Sequence, residues 1–365
     1  MYQQMVENLK KDDLLCEKST NERVLSLDIA RILAVSAVIM THISAIFVTG
    51  SGTISGFTLG NIFDSISRVG VPLFVMVSGA LMLDENKDVS VRKLFGKNIK
   101  NIVFLLIVWS AVYAVVYSAI PPLMKGEAFP VKDVVRSFIN GHYHMWYLYM
   151  AIGLYLITPF LRTFVCRANK NKVLLFIGIS LPVQFTMPVI QGLSLIWEPA
   201  GYLSAFADRF YLDFFCGFTT YYLTGWYIAH IGFDQKWKKW GTCIAGAVSV
   251  LVTILYVQFT GDYKNGYSNM NIFIFIYAAG VFCLINQLQN INRGKAKNVI
   301  ILLSKLSFGV YILHPMILTA FNKAVSYNGA PLLYIMGGFW SVCFVSFICC
   351  YIVSRLPVVK KIIRM

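Results

Sequence analysis

A soluble chain of 365 residues would divide into two or three domains, but this one is 57% hydrophobic and only 13% charged, with apolar stretches of about 20 residues recurring along its length. That composition excludes a soluble globular protein. In lipid it also excludes an open sheet, because backbone polar groups there must be satisfied internally.

Residues 1–23 are polar and mixed in charge, and read as a short cytoplasmic tail or an interfacial helix. Apolar spans follow near 25–48, 62–83, 98–120, 144–165, 173–191, 209–231, 241–259, 268–288, 299–321 and 332–354, each close to the length that crosses a hydrocarbon core roughly 30 Å thick. The expected fold is an all-α integral membrane protein, a bundle of about ten transmembrane helices with both termini cytoplasmic. The tail 1–23, the membrane domain 24–354 and a basic tail 355–365 are its parts. The first apolar run follows a charged tail and is too long for a signal peptide, so it reads as an uncleaved span. The connection 121–143 opens with two prolines and carries a short amphipathic helix around 131–138. The stretch 191–208, "QGLSLIWEPAGYLSAFAD", reads as an external loop with aromatic residues and Glu198. Paired repeats and broken helices near the midplane, the marks of many transporters, are not evident.

The net charge of +15 is a topology signal. Of the 32 Lys and Arg residues, 24 lie in the termini and the loops after spans two, four, six and eight, against six on the opposite side. This bias places both termini in the cytoplasm, and nucleic acid is not needed to explain the charge. The eight cysteines form no CxxC or Cys–His spacing, so they read as small hydrophobic packing residues and no metal site is expected.

Three ionisable groups in the first span, Asp28, Arg31 and His42, are the unusual feature of that helix, since such groups cost about 2.5–3.5 kcal/mol each on insertion and usually line a polar cavity. Counting 1.5 Å per residue puts Arg31 roughly 9 Å above the cytoplasmic edge and His42 about 16 Å further out, on the same face. Asp28 stands one turn below Arg31, at a spacing suited to an ion pair. The same count puts Arg68 in span two and His314 in span nine both at about 22 Å, and Ser78 near 7 Å. Two polar layers result: His42, Arg68 and His314 in the outer half, Arg31 with Ser78 near the inner edge. His142 and His144 lie at the outer mouth of span four, and His230 at an inner helix end. For these three histidines a snorkelling or hydrogen-bonded role at the interface is the simpler reading. Trp146, Tyr147 and Tyr149 fit an aromatic belt, and Ser78–Gly79 fits a small-residue helix contact.

Taken together these residues resemble the acyltransferase-3 family of membrane O-acyltransferases. Arg31 and His42 match its Arg-x10-His signature, "RVGVPLFVMVSG" (68–79) its second-span Arg with Ser-Gly, and "SFGVYILHP" (307–315) its late Tyr-Leu-x-His element, with Ile312 a mild variation. "HMWYLYMAIGLYLITP" (144–159) is similar to the middle span of the branch that acetylates surface polysaccharides and enterobacterial common antigen. The resemblance implies a bacterial inner-membrane enzyme with no bound cofactor. It would use acetyl-CoA or another acyl-CoA as co-substrate and a cell-surface or lipid-linked glycan hydroxyl as acceptor. It implies Arg31 and Ser78 at the donor, His42 as general base or acyl carrier, Arg68 at the oxyanion, and His314 orienting His42, shuttling a proton or binding acceptor. His144, Trp146, Glu198 and Tyr311 are the candidate acceptor contacts. Some family members carry an extracellular hydrolase-like domain after the last span; none follows here, so the membrane domain or a separate partner is expected to complete transfer. A transporter or flippase, and a non-catalytic sensing or amino-acid-uptake domain, remain the competing readings.

Overall fold

The computed structural model describes residues 23–50, 56–87, 89–195, 197–209, 217–233, 235–288, 294–327 and 329–355, apart from the side chains of 184, 207, 208 and 295. The expected tail 1–22, the basic segment 356–365, and the start of the sixth span lie outside the described residues. So do Cys16, Cys216 and several loop lysines and arginines.

Among the described residues the chain is helical, with no strand. In order these are α1 (Leu25–Thr49), α2 (Phe57–Ser67), α3 (Gly70–Met82), α4 (Val91–Met124), α5 (Val131–Asn140), α6 (Trp146–Arg167) and α7 (Lys170–Leu193). They continue with α8 (Glu198–Asp208), α9 (Phe218–Trp226, continuing as Tyr227–Ile231), α10 (Lys236–Thr260), α11 (Ile272–Asn286), α12 (Lys295–Ala324) and α13 (Pro331–Arg355). Eight helical segments among the described residues are long and apolar enough to cross a membrane, and α11 is a shorter apolar helix. The protein is an all-α membrane protein.

Two parts of the chain depart from their expected form. The second span is interrupted at Arg68–Val69, between α2 and α3, although no broken helix is evident in the sequence pattern. Its cause is Pro72, which has no N–H for the carbonyl of Arg68 and whose ring crowds it. Residues 191–208 do not form a loop; they fold into the end of α7 and the helix α8. The short helix around 131–138 is present as α5, and none of its residues is buried.

Small residues set the closest helix contacts, as they do where lipid supplies no hydrophobic drive between helices. A Cβ on Gly79 would lie 1.9 Å from the backbone oxygen of Tyr222, and one on Gly225 would lie 2.1 Å from that of Met76. Helices α3 and α9 therefore touch backbone to backbone, and α10 and α11 do the same at Gly246 and Gly280. Side chains staple the remaining joints to main-chain oxygens. Arg162 donates to the carbonyls of Met82, Asp84 and Lys87 at 2.8, 2.8 and 2.9 Å. His230, exposed at the end of α9, donates from Nε2 to Ala80 O at 2.8 Å, and so ties α9 to α3 as a hydrogen-bonded residue at a helix end.

The helices that position the site are α1 and α12, which pack side by side. At one end they are pinned by Asp28, whose carboxylate accepts from Arg23 Nε at 2.6 Å, Arg23 Nη2 at 2.7 Å and Ser304 Oγ at 2.6 Å. The expected Asp28–Arg31 ion pair is not formed. Arg23 precedes the helix and curls back over the first turn, which lets it chelate both carboxylate oxygens in a way that Arg31, fixed one turn further along α1, does not.

Candidate active site

At the other end of α1 and α12 four histidines and several tyrosines converge. Those from the chain ahead of α6 come on the tight turn Tyr143–Met145, which folds His142, Tyr143 and His144 under the bundle before α6 begins. The rings of His42 (α1) and His314 (α12) lie 5.3 Å apart between centroids with planes at 20°. His144 stands 5.7 Å from His314, nearly perpendicular to it. His142 and His144 share a hydrogen bond between their Nδ1 atoms at 2.8 Å. Tyr143 meets His42 edge-on at 5.1 Å, and Tyr113 of α4 stacks on His142 at 4.3 Å.

The structure thus brings the expected pair His42 and His314 together, on two helices far apart in sequence. His144 joins them: it is 2% exposed, which overturns the interfacial reading of this residue. Its backbone oxygen accepts the hydroxyl of Tyr311. That phenol is therefore committed to holding the 142–145 turn against α12, leaving it no free proton for an acceptor.

The hydrogen bonds of His314 define its proton. Its Nδ1 lies 2.7 Å from the carbonyl oxygen of Tyr311 and 3.3 Å from that of Val310. A carbonyl only accepts, so Nδ1 carries the hydrogen and Nε2 carries the lone pair. That Nε2 is buried and has no partner, as does Nε2 of His144. His42 makes no hydrogen bond among the described residues and is half-buried.

Arg68 lies within Coulombic reach of His42 at the break between α2 and α3. Its Nε donates to Asp64 Oδ1 at 2.6 Å, and its guanidinium lies 4.4 Å over the Tyr267 ring. Asp64 is fully buried, with Oδ2 unpartnered. Sequence reasoning missed Asp64, although its i, i+4 spacing from Arg68 was a readable signal for an ion pair. Nor did it single out Tyr113, whose hydroxyl donates to Ile312 O at 2.7 Å; in an apolar helix Tyr113 and Tyr117, one turn apart, look like any other belt residues.

The inner layer is also assembled. Arg31 lies within Coulombic reach of Asp28, Tyr147 and Tyr155, and Ser78 sits beside the Tyr147 phenol while donating to Phe74 O at 2.9 Å. Arg31 is half-buried and makes no hydrogen bond or ion pair among the described residues. Tyr147, expected in an aromatic belt, is instead buried between the layers, 5.4 Å from Tyr311. Two expected residues stand apart. Trp146 is exposed and packs on Phe218 at 5.7 Å. Glu198 accepts from Tyr202, one turn along α8, at 2.8 Å on an exposed surface, and among the described residues no contact links it to the histidines.

No cluster of His, Cys, Asp or Glu among the described residues has the makings of a metal site. The arrangement offers a set of imidazoles with no carboxylate partner among the described residues, a charge-compensated guanidinium, Arg68, beside them, and a second guanidinium, Arg31, further along the helix that carries His42. That is equipment for moving a proton and steadying an anion, the needs of acyl transfer to a hydroxyl. No curated protein and no solved structure matches the chain. A family model described as "Acyltransferase domain" matches residues 24–355, from just before α1 to the end of α13. The chain therefore belongs to this acyltransferase-3 family and is a multi-pass membrane acyltransferase.

Proposed function

We propose that the protein moves an acyl group, acetyl in the first instance, from cytoplasmic acyl-CoA to a hydroxyl of a cell-surface or lipid-linked glycan in the bacterial inner membrane. The observation that carries this reading is the pairing on one helix. Arg31, with no acid bound to it among the described residues, and His42, in contact with a second histidine, stand eleven residues apart on one face of α1.

Arg31, with Ser78 and Tyr147 beside it, meets the phosphates or the polar arm of the donor, for which a guanidinium is well shaped. The arm carries the thioester along α1 to His42. The acceptor oxygen attacks the thioester carbon as His42 takes the hydroxyl proton. A C–O bond forms, the C–S bond breaks, and the departing CoA sulfur takes that proton from His42. Arg68 keeps its terminal nitrogens for the oxyanion, a role worth about 3–4 kcal/mol for one good donor, while Asp64 offsets the cost of burying its charge. The aromatic rings of Tyr113 and Tyr143 beside the histidines suit an apolar sugar face.

The test is transfer of label from radioactive acetyl-CoA in membranes carrying the wild type or His42→Ala. Label on glycan or lipid with the wild type, and its loss with His42→Ala, is the expected result. Unchanged turnover at equal expression removes His42 as the base. Arg31→Ala should raise the apparent KM for acyl-CoA, and an unaltered KM counts against donor binding there. The interrupted second span favours a transporter as the second reading; no label transfer, with uptake of the glycan precursor, would support it.

A further inference from the structure

Helix α12 contains one proline, Pro315, immediately after His314. In an α-helix the N–H of residue 315 would bond the carbonyl of residue 311. Proline has no N–H, so the Tyr311 carbonyl is left without its helical partner. It is this carbonyl that His314 Nδ1 approaches to 2.7 Å. The next carbonyl, of Ile312, receives the hydroxyl of Tyr113 from α4. The defect in the helix is filled by a side chain, the site imidazole.

We propose that Pro315 is a positioning residue that locks His314 as the Nδ1–H tautomer, so that its Nε2 lone pair accepts the N–H of His42 and turns the other nitrogen of His42 toward the acceptor hydroxyl. This rests on the reading of His42 as the base. A free imidazole prefers its proton on Nε2; in that form His314 would be a donor facing His42 and would hold it in the wrong tautomer. With the freed carbonyl fixing Nδ1–H, His314 serves His42 as a carboxylate serves the histidine of a catalytic triad. Proximity supports the pairing. The hydrogen-bonded rings of His142 and His144 are 5.0 Å apart between centroids, and those of His42 and His314 are 5.3 Å apart with near-parallel planes. Nε2 of His314 is buried and makes no hydrogen bond in this arrangement of the rings, so the His42 ring, itself without a hydrogen bond among the described residues, must turn to donate to it; no carboxylate lies against His314 among the described residues. As His42 gains the hydroxyl proton, the partial charge is shared through His314 to the Tyr311 carbonyl. The other titratable groups around the pair are His144, His142, Tyr143, Tyr311 and, at Coulombic range, Arg68.

The experiment uses the full chain in lipid nanodiscs with 15N-labelled histidine, His314 signals being assigned by their loss in His314→Gln. The expected wild-type spectrum has His314 protonated on Nδ1 and unprotonated on Nε2. Pro315→Ala restores the backbone N–H, which competes for Tyr311 O. His314 should then shift toward the Nε2–H form, and kcat should fall about 10²-fold with KM for acyl-CoA unchanged and the pH profile of kcat altered. A wild-type His314 found in the Nε2–H form overturns the proposal whatever the variant does. So does Pro315→Ala with the wild-type kcat and pH profile. The tautomer is read without substrates: if no acyl transfer occurs at all, the functional reading fails while the state of His314 is still decided.

Discussion

The exchange of partners at Asp28 makes the sharpest quantitative test of the architecture beneath the site. Asp28 is buried and accepts two charge-assisted bonds from Arg23 and one from Ser304. Bonds to a charged group are worth about 1.5–3 kcal/mol each when sheltered. The Arg23 side chain is 37% exposed, so solvent screening reduces the pair to about 1–2 kcal/mol of coupling. Truncating Asp28 also strands the buried Ser304 hydroxyl, adding about 1 kcal/mol. The expectation is that Asp28→Ala costs about 2–3 kcal/mol in all. A double-mutant cycle should give a coupling of about 1–2 kcal/mol between Arg23 and Asp28 and less than about 0.5 kcal/mol between Arg31 and Asp28. Unfolding of detergent-solubilised protein, followed by tryptophan fluorescence, is the assay. Coupling of Asp28 to Arg31 at or above its coupling to Arg23 would refute the assignment and restore the pair suggested by spacing alone. Because the same carboxylate ties α1 to α12, Ser304→Ala should also slow transfer without changing donor KM.

Three further outcomes follow from contacts elsewhere. Arg162→Ala removes donors from three backbone carbonyls and should cost about 2–3 kcal/mol, read as a lowered thermal midpoint; an unchanged midpoint would mean that water replaces the guanidinium without loss. Gly79→Ala drives a methyl to 1.9 Å from a backbone oxygen and should cost about 3 kcal/mol or more, whereas Gly178→Ala, with nothing within 4 Å, should stabilise by about 0.5–1 kcal/mol; equal effects on expression and melting would sink the close-contact argument. Glu198→Ala should leave acceptor KM untouched, since among the described residues the carboxylate is engaged by Tyr202 alone, and a raised KM in a transfer assay would return Glu198 to the site.

What was legible in the sequence was what depth and charge control. An Arg or His in an apolar run is costly wherever it points, so Arg31, His42, Arg68 and His314 stood out from their spans, and counting residues set them in two layers. The structure keeps those layers, with His42 against His314 and Ser78 near Tyr147, which is itself in reach of Arg31. Residues whose roles depend on what crosses from another helix were not legible. His144 and Tyr147 looked like belt residues because Trp, Tyr and His are common at membrane interfaces; only the fold of the 142–145 turn buries them. Asp28 looked bound to Arg31 because periodicity sees neighbours within a helix, and Arg23 lies just before the helix where periodicity says nothing. Glu198 attracted attention as a lone acid in an aromatic stretch, and its exposed helix gives it only a local partner.

Prolines mark where the two kinds of information meet. Pro72 and Pro315 each sit in an apolar span, and each deprives the carbonyl four residues earlier of a donor. In the second span the chain answers by breaking, and Arg68 emerges at the interruption, held by Asp64 from the turn before. In α12 the helix runs on through Pro315, and His314 supplies a donor to the Tyr311 carbonyl that the ring leaves without one. Backbone groups in hydrocarbon must find partners, so the cost of a proline there is met by whatever side chain is nearest. At both places that arrangement also fixes a charged or titratable group of the site, Arg68 in one case and His314 in the other. The backbone defects and the chemistry are therefore coupled, and mutating either proline should register first in the geometry of its neighbouring functional residue and only second in the stability of the bundle.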